Sequence, residues 1–232
     1  MNIKYGMILA AGLGKRMQPL TLKTPKPLLE INNYTLLERA INLLISHGVQ
    51  EICINVHYLP DQIQSFVNKK KFQVKITFSN EEDLLLDTGG GVLKATQNFG
   101  ENPFFVMNPD TVWSKEYLGE LKSLEIIYLK NKKPTLLLVN KKLSIDHSFK
   151  GDFNLNNEKI TKGNENQFIF TGLQIINRDI LINEKSKVFS MNKVWNKLIK
   201  DKNLHGLESN QKFYHLNTFE MYKKILNLNI ID

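Results

Sequence analysis

Hydrophobic and polar positions along the chain follow two rhythms. Gly6-Met7-Ile8-Leu9-Ala10 is short and uniformly apolar, which predicts a buried strand. Ile52-Cys53-Ile54-Asn55-Val56 and Phe104-Phe105-Val106-Met107 read the same way, residues 74–78 alternate as a strand, and residues 135–139 add another. Helical spacing fills the intervals. Thr35-x-x-Glu38 is a capping box that opens a helix with Leu36, Leu37, Ala40, Ile41, Leu43 and Leu44 inward. That helix closes at His47-Gly48, a cation followed by glycine. Pro60 opens a second helix with Ile63, Phe66 and Val67 on one face. Residues 115–129 predict a third, and residues 191–200 an amphipathic one whose Trp195 faces the core. Residues 168–176 form a strand broken by Gly172, the mark of a bulge or a close approach. Residues 213–216 read as the last strand, and Thr218 caps a final helix through residue 228. The order of elements predicts the α/β class: a Rossmann-like doubly wound mixed sheet with ligands at the C-terminal strand ends. Residues 141–166, poor in periodicity, predict hairpins forming a small lobe, all within one domain of 232 residues.

Chemistry concentrates where strands give way to small residues. After the first strand, Ala10-Ala11-Gly12-Leu13-Gly14 turns sharply into Lys15 and Arg16. Glycines let backbone N–H groups approach an anion, and the cations add charge, so the stretch reads as a phosphate cradle. Lys26 stands between Pro25 and Pro27, which restrict its loop. The spacing is neither a Walker A loop (Arg16 where Ser or Thr is needed) nor a dinucleotide fingerprint (Met17 where the third glycine belongs). Asp87-Thr88-Gly89-Gly90-Gly91 predicts a loop before a helix at residues 92–96, either a plain hinge or a backbone wall against a planar or sugar group. Asn108-Pro109-Asp110 is turn chemistry, but Asp110 also sits at the edge of a buried strand, where a carboxylate suits Mg²⁺ shared with phosphates.

Composition changes this picture little. A net charge of +8 raises nucleic-acid binding. The lysines are scattered and not interleaved with aromatics, so no nucleic-acid partner is expected, while the positive field favours phosphate-rich small substrates. No apolar run approaches the roughly 18 residues of a membrane span, and no signal arrangement opens the chain, so a cytoplasmic protein without a membrane partner is expected. The one cysteine, Cys53, excludes internal disulfides and lies in an apolar run, where it is expected buried and inert.

Leu9-Ala10-Ala11-Gly12-x-Gly14-x-Arg16-Met17-x-Pro19-Leu20-Thr21, followed by Pro25-Lys26-Pro27-Leu28, closely resembles the signature of the sugar-phosphate nucleotidyltransferases, the nucleotide-sugar pyrophosphorylases. The resemblance runs nearly end to end. It is strongest toward the bacterial subgroup that uridylylates N-acetylmuramic acid 1-phosphate, through Thr88-Gly89-Gly90-Gly91, Gly151-Asp152-Phe153 and Phe170-Thr171-Gly172. It implies the nucleotide-diphospho-sugar transferase fold and transfer of a nucleotidyl group from a nucleoside triphosphate, UTP first, to a sugar 1-phosphate. The alternatives are CTP or GTP with phosphocholine or another sugar phosphate, and a non-catalytic nucleotide-sugar-binding homologue. The resemblance assigns catalysis to Arg16, Lys26 and Asp110, and the nucleotide to Ala10, Ala11, Gly12, Gly14, Thr88 and Gly89. It gives the sugar to Asn108, Asp152, Thr171 and Gly172, making the small lobe the acceptor side. Mg²⁺ is the implied cofactor, with Mn²⁺ as an alternative, in a monomer or weak homodimer. One departure stands out. The family's second metal-binding aspartate is replaced here by His215, and a neighbouring glycine by Asn217. Histidine suits Mg²⁺ poorly, whereas asparagine can offer a carbonyl oxygen, so Asp110, His215 and Asn217 are the candidate ligands.

Overall fold

In this computed structural model, which describes residues 3–228 and 230, the apolar runs become the spine of one nine-stranded sheet. Its elements in chain order are β1 (Tyr5–Leu9), β2 (Glu30–Ile31), β3 (Tyr34–Thr35), α1 (Leu36–His47), β4 (Glu51–Val56), α2 (Pro60–Lys70) and β5 (Lys75–Asn80). Then follow α3 (Asp87–Ala95), β6 (Phe104–Met107), α4 (Leu118–Asn131), β7 (Thr135–Asn140), β8 (Asn154–Asn156) and β9 (Lys159–Thr161). The chain continues through β10 (Phe168–Ile176), α5 (Met191–Lys200), β11 (His205–Ser209) and α6 (Phe219–Leu226).

The sheet order is β5-β4-β1-β6-β10-β7-β11-β9-β8, with β2 and β3 pairing apart. Strands β5, β4, β1 and β6 are parallel, and β10 runs antiparallel between β6 and β7, so the sheet is mixed as expected. Alternation along each strand feeds two cores. Ile8, Ile52, Ile54, Phe105 and Met107 meet α1, α2 and α4 on one face. Met7, Cys53, Phe104 and Val106 meet α3 and α5 on the other, where Trp195 is buried. Burial on both faces explains why these strands lack polar alternation. The order reverses between β1 and β6, since β4 follows β1 on one side and β6 lies on the other. A crevice opens outside the carboxyl ends of strands at such a point.

Three expectations change. The glycine run does not form a loop: Gly89, Gly90 and Gly91 lie inside α3, which starts at Asp87. Small size matters there, because a Cβ on Gly90 would stand 2.1 Å from the Lys187 carbonyl oxygen. The segment over α3 takes hydrogen bonds from the Gly89 and Gly90 N–H groups on the Phe189 oxygen. Residues 213–216 are not a regular strand; they make isolated bridges, Phe213 to Ser144 and His215 to Thr111, and the last strand is β11. The β8–β9 hairpin does not stand off as a separate body but extends the edge of the main sheet. The bulge in β10 is present: pairing with β7 shifts between Phe170 and Gln174, and Gly172 has φ +94° beneath the Asn108 side chain.

Candidate active site

The crevice at the β1–β6 reversal is a cleft of about 430 Å³. Its floor is the turn after β1. Ala10 donates its N–H to Asn55 Oδ1 (2.7 Å), and Asn55 Nδ2 donates to Glu81 Oε1 (2.7 Å). Leu86 N–H closes this chain on Glu81 Oε2 (2.9 Å). These buried polar groups tie the ends of β1, β4 and β5 together beneath the cleft. Gly14 adopts φ +63°, with Thr21 Cγ2 3.0 Å from where a Cβ would be; its carbonyl accepts from Met17 N–H and Thr21 Oγ1. Among the described residues none accepts a hydrogen bond from the N–H groups of Gly12, Leu13 or Gly14. A Cβ on Gly12 would meet no protein atom within 4 Å. The loop is thus braced from below and open toward the cleft. Its cations follow in a short 3-10 turn, and Lys15 and Arg16 both line the cavity. Tyr58 OH, just before α2, and Gln62 Nε2, within it, donate to the carbonyls of Thr21 and Lys23, pinning the segment that follows the cations.

The opposite wall is Asn108-Pro109-Asp110, leaving β6. Lys26 Nζ lies 2.6 Å from Asp110 Oδ2, joining residues far apart in sequence; their side chains are 15% and 24% exposed. Burial alone would push the Asp110 carboxyl up. The Lys26 ammonium, with smaller help from His215, outweighs it and holds the group at about 2. Asp110 Oδ1 is buried without a hydrogen-bond partner. So are Asn217 Oδ1 and His215 Nδ1, the latter 3.7 Å from Asp110 Oδ1. His215 is shifted downward mainly by burial, with Lys26 and Arg16 acting the same way against Asp110, so it is neutral at pH 7. Its ring lies parallel to Phe213 and edge-on to Phe149.

Among the described residues no cluster of three or more His, Cys, Asp or Glu side chains forms a metal cage. A hard cation shared with phosphates needs only one or two protein oxygens. Unpartnered oxygens on Asp110 and Asn217 fit that demand, and a neutral imidazole beside them fits a softer ion such as Mn²⁺ better than Mg²⁺.

Ala10, Ala11, Gly12, Gly14, Arg16, Lys26, Thr88, Asn108, Asp110 and Asn217 therefore share one cleft, and His215 touches its edge through Asp110. Four expected residues do not line it, Gly89, Thr171, Asp152 and Gly172. Gly89 is packed within α3. Thr171 is buried, donating from Oγ1 to the Leu137 carbonyl and accepting on its own carbonyl from Thr111 Oγ1, so its hydroxyl serves the sheet. Asp152 accepts from Phe170 N–H (2.9 Å), which ties the hairpin region to β10. Gly172 lies behind Asn108, whose N–H donates to the Gly172 carbonyl. Asn55, Glu81, Leu85 and Asp87 line the cleft without having been singled out. Asn55 and Glu81 carried a signal as polar residues at the ends of apolar strands.

A doubly wound sheet whose reversal point carries a bare glycine turn, two cations and an acid–lysine pair defines a protein that handles phosphate esters. The nucleotidyl transferase family model matches residues 5–142, and the chain belongs to that family. It is 27% identical over 221 residues to the N-acetylmuramate alpha-1-phosphate uridylyltransferase of Caulobacter vibrioides, covering 92% of this chain and 91% of that one. Over 111 residues it is 38% identical to the mannose-1-phosphate guanyltransferase of Hypocrea jecorina, across 46% of this chain and 30% of the relative. Among solved structures, UDP-glucose pyrophosphorylase complexed with UDP-glucose matches at a TM-score of 0.79 and 18% identity, over 97% of both chains. The inositol-1-phosphate CTP transferase of T. maritima matches at 0.75 and 15% identity, over 100% of this chain and 99% of that one. These last two share the fold.

Proposed function

We propose that this protein transfers a uridylyl group from UTP to N-acetylmuramic acid 1-phosphate, releasing pyrophosphate and forming a nucleotide sugar for cell-wall recycling. The observation that carries the reaction class is the Lys26–Asp110 pair set against the open glycine turn in one cleft. Support for this substrate pair comes from the uridylyltransferase relative matched over nearly the whole chain.

A phosphate oxygen of the sugar phosphate attacks the α-phosphorus of UTP. The bond from the α-phosphorus to the bridging oxygen breaks, and its electron pair leaves on pyrophosphate. No protein nucleophile is needed; alignment and charge neutralisation are. The N–H groups of Gly12 to Gly14 hold the triphosphate, and Arg16 stabilises the leaving pyrophosphate. Lys26 exchanges Asp110 Oδ2 for a phosphate oxygen when substrate arrives, which frees the carboxylate. Asp110 and Asn217 would hold a divalent cation, Mg²⁺ or Mn²⁺, whose charge would offset that of the phosphates. Asn108, which lines the cleft with Asp110, faces the sugar phosphate.

The test is pyrophosphate release with N-acetylmuramic acid 1-phosphate and each of the four ribonucleoside triphosphates, with Mg²⁺ or Mn²⁺. Release with UTP alone supports the reading. The higher identity of a 111-residue stretch to a guanyltransferase favours GTP as the second reading, and release with GTP alone would establish it. Nucleotide binding without turnover on any acceptor would favour a non-catalytic homologue.

A further inference from the structure

Asn217 presents two chemically different faces, and the structure records which one is partnered. Its Nδ2 donates to Asp146 Oδ2 at 2.8 Å. The other oxygen of Asp146 is occupied as well: Oδ1 accepts from Ser148 N–H (3.0 Å) and Ser148 Oγ (2.6 Å). A carboxylate only accepts, so it fixes the amide with nitrogen toward itself and oxygen away. That oxygen, Asn217 Oδ1, is buried with no partner, as is Asp110 Oδ1. The two residues are joined through the main chain, since Leu216 N–H donates to the Asp110 carbonyl (2.8 Å). A lone amide would turn its oxygen toward any donor that offered itself. Here one face is locked from behind, leaving an acceptor aimed at a place where protein supplies no hydrogen.

We infer that Asp146 is a positioning residue for the cation seat: it locks the Asn217 amide so that Oδ1 and Asp110 Oδ1 form the protein's oxygen pair for the divalent ion. The inference rests on the metal-assisted reading above. It gives the loop between β7 and β8 a part in the reaction. A partner behind a ligand sets its orientation, and losing one typically weakens metal binding by about 10- to 100-fold.

The test titrates Mn²⁺ alone into wild type, Asp146→Asn and the double variant Asp146→Asn with Asn217→Asp, following free Mn²⁺ by electron paramagnetic resonance. Metal dependence of pyrophosphate release is measured alongside. Asp146→Asn is expected to raise the Mn²⁺ Kd and the half-saturating metal concentration about tenfold, with kcat at saturating metal kept within about threefold. The double variant reverses the pair: the amide now at 146 donates to one oxygen of the carboxylate now at 217, and the other oxygen faces the seat. It is expected to restore binding to within about threefold of wild type. Lys224→Met controls for simple stapling, because Lys224 Nζ holds the same loop through the Ile145 carbonyl without touching the amide. It is expected to leave Mn²⁺ affinity unchanged. Unchanged affinity in Asp146→Asn, or equal weakening in Lys224→Met, overturns the inference alone. Wild type that binds no Mn²⁺ overturns the metal-assisted reading and the inference with it.

Discussion

The two sides of the cleft are built by different means. The glycine side works through main chain: free N–H groups of one tight turn, braced by Thr21 and by the Asn55–Glu81 chain below. The Asp110 side works through side chains brought from four distant places, Lys26, Asp110, Asp146 and His215-Leu216-Asn217. A main-chain site tolerates drift in side chains provided the turn keeps its shape. A side-chain site depends on identities, and here those include His215 and Asn217, each with a buried unpartnered atom. On the proposed reading, the binding of phosphate and the handling of its charge are assigned to separate walls of one cleft.

The largest effect is expected on the side-chain wall. Asp110→Ala removes the proposed cation ligand, and turnover with saturating substrates should fall by about 10²–10³, the scale of losing one preorganised electrostatic partner. Nucleotide retention by the glycine side, followed by equilibrium dialysis, should persist. A loss of both together would erase the distinction between the walls.

Lys26→Met comes next. A hydrogen bond to a charged group is worth about 1.5–3 kcal/mol, so kcat/KM should drop by roughly 10- to 100-fold. Its pH signature sharpens the point. Asp110 is held at about 2, below its ordinary value, so the pair's stabilisation is present above the unfolded carboxyl value and is lost as pH falls through about 2. Chemical denaturation across pH should show the wild-type advantage over Lys26→Met full above about pH 4 and fading toward pH 2. An advantage that stays flat over that range would contradict the pairing.

His215→Asp tests the imidazole beside Asp110. A second carboxylate in place of a neutral imidazole should shift the Mg²⁺-to-Mn²⁺ activity ratio toward Mg²⁺ by several-fold, about tenfold at most. Steady-state rates with each metal read it directly, and a fixed ratio would remove His215 from the seat. The smallest effect belongs to the main-chain side. Gly14→Ala must hold a left-handed conformation, at about 1–2 kcal/mol, with Thr21 in close contact. Thermal unfolding should register that loss, while the metal requirement stays as in wild type.

The main-chain side was legible in the sequence because it is contiguous. Glycine spacing, the trailing cations and the proline-flanked lysine all lie within residues 9–28, and strand order alone predicts that their turn opens at a carboxyl edge. The β10 bulge and the Thr35 and Thr218 caps were legible for the same local reason. Partnerships across long separations were not. Nothing near Lys26 announces Asp110, nothing near Asn217 announces Asp146, and helix-end His47 gives no hint that its Nε2 lies 3.0 Å from Glu125 in the core. The glycine run misled for a physical reason: glycines disfavour helix, but here their missing side chains admit the segment at residues 187–189, and that packing outweighs propensity. Residues 213–216 misled because an apolar run fits a strand, yet these residues bridge Ser144 and Thr111 singly rather than joining the sheet.

The most direct test of the account is metal-dependent pyrophosphate release by wild type beside Asp110→Ala, with UTP and N-acetylmuramic acid 1-phosphate. The account predicts release that needs Mg²⁺ or Mn²⁺ in wild type and nearly vanishes in the variant. Equal release by both proteins, or release undiminished by a chelator, would contradict it.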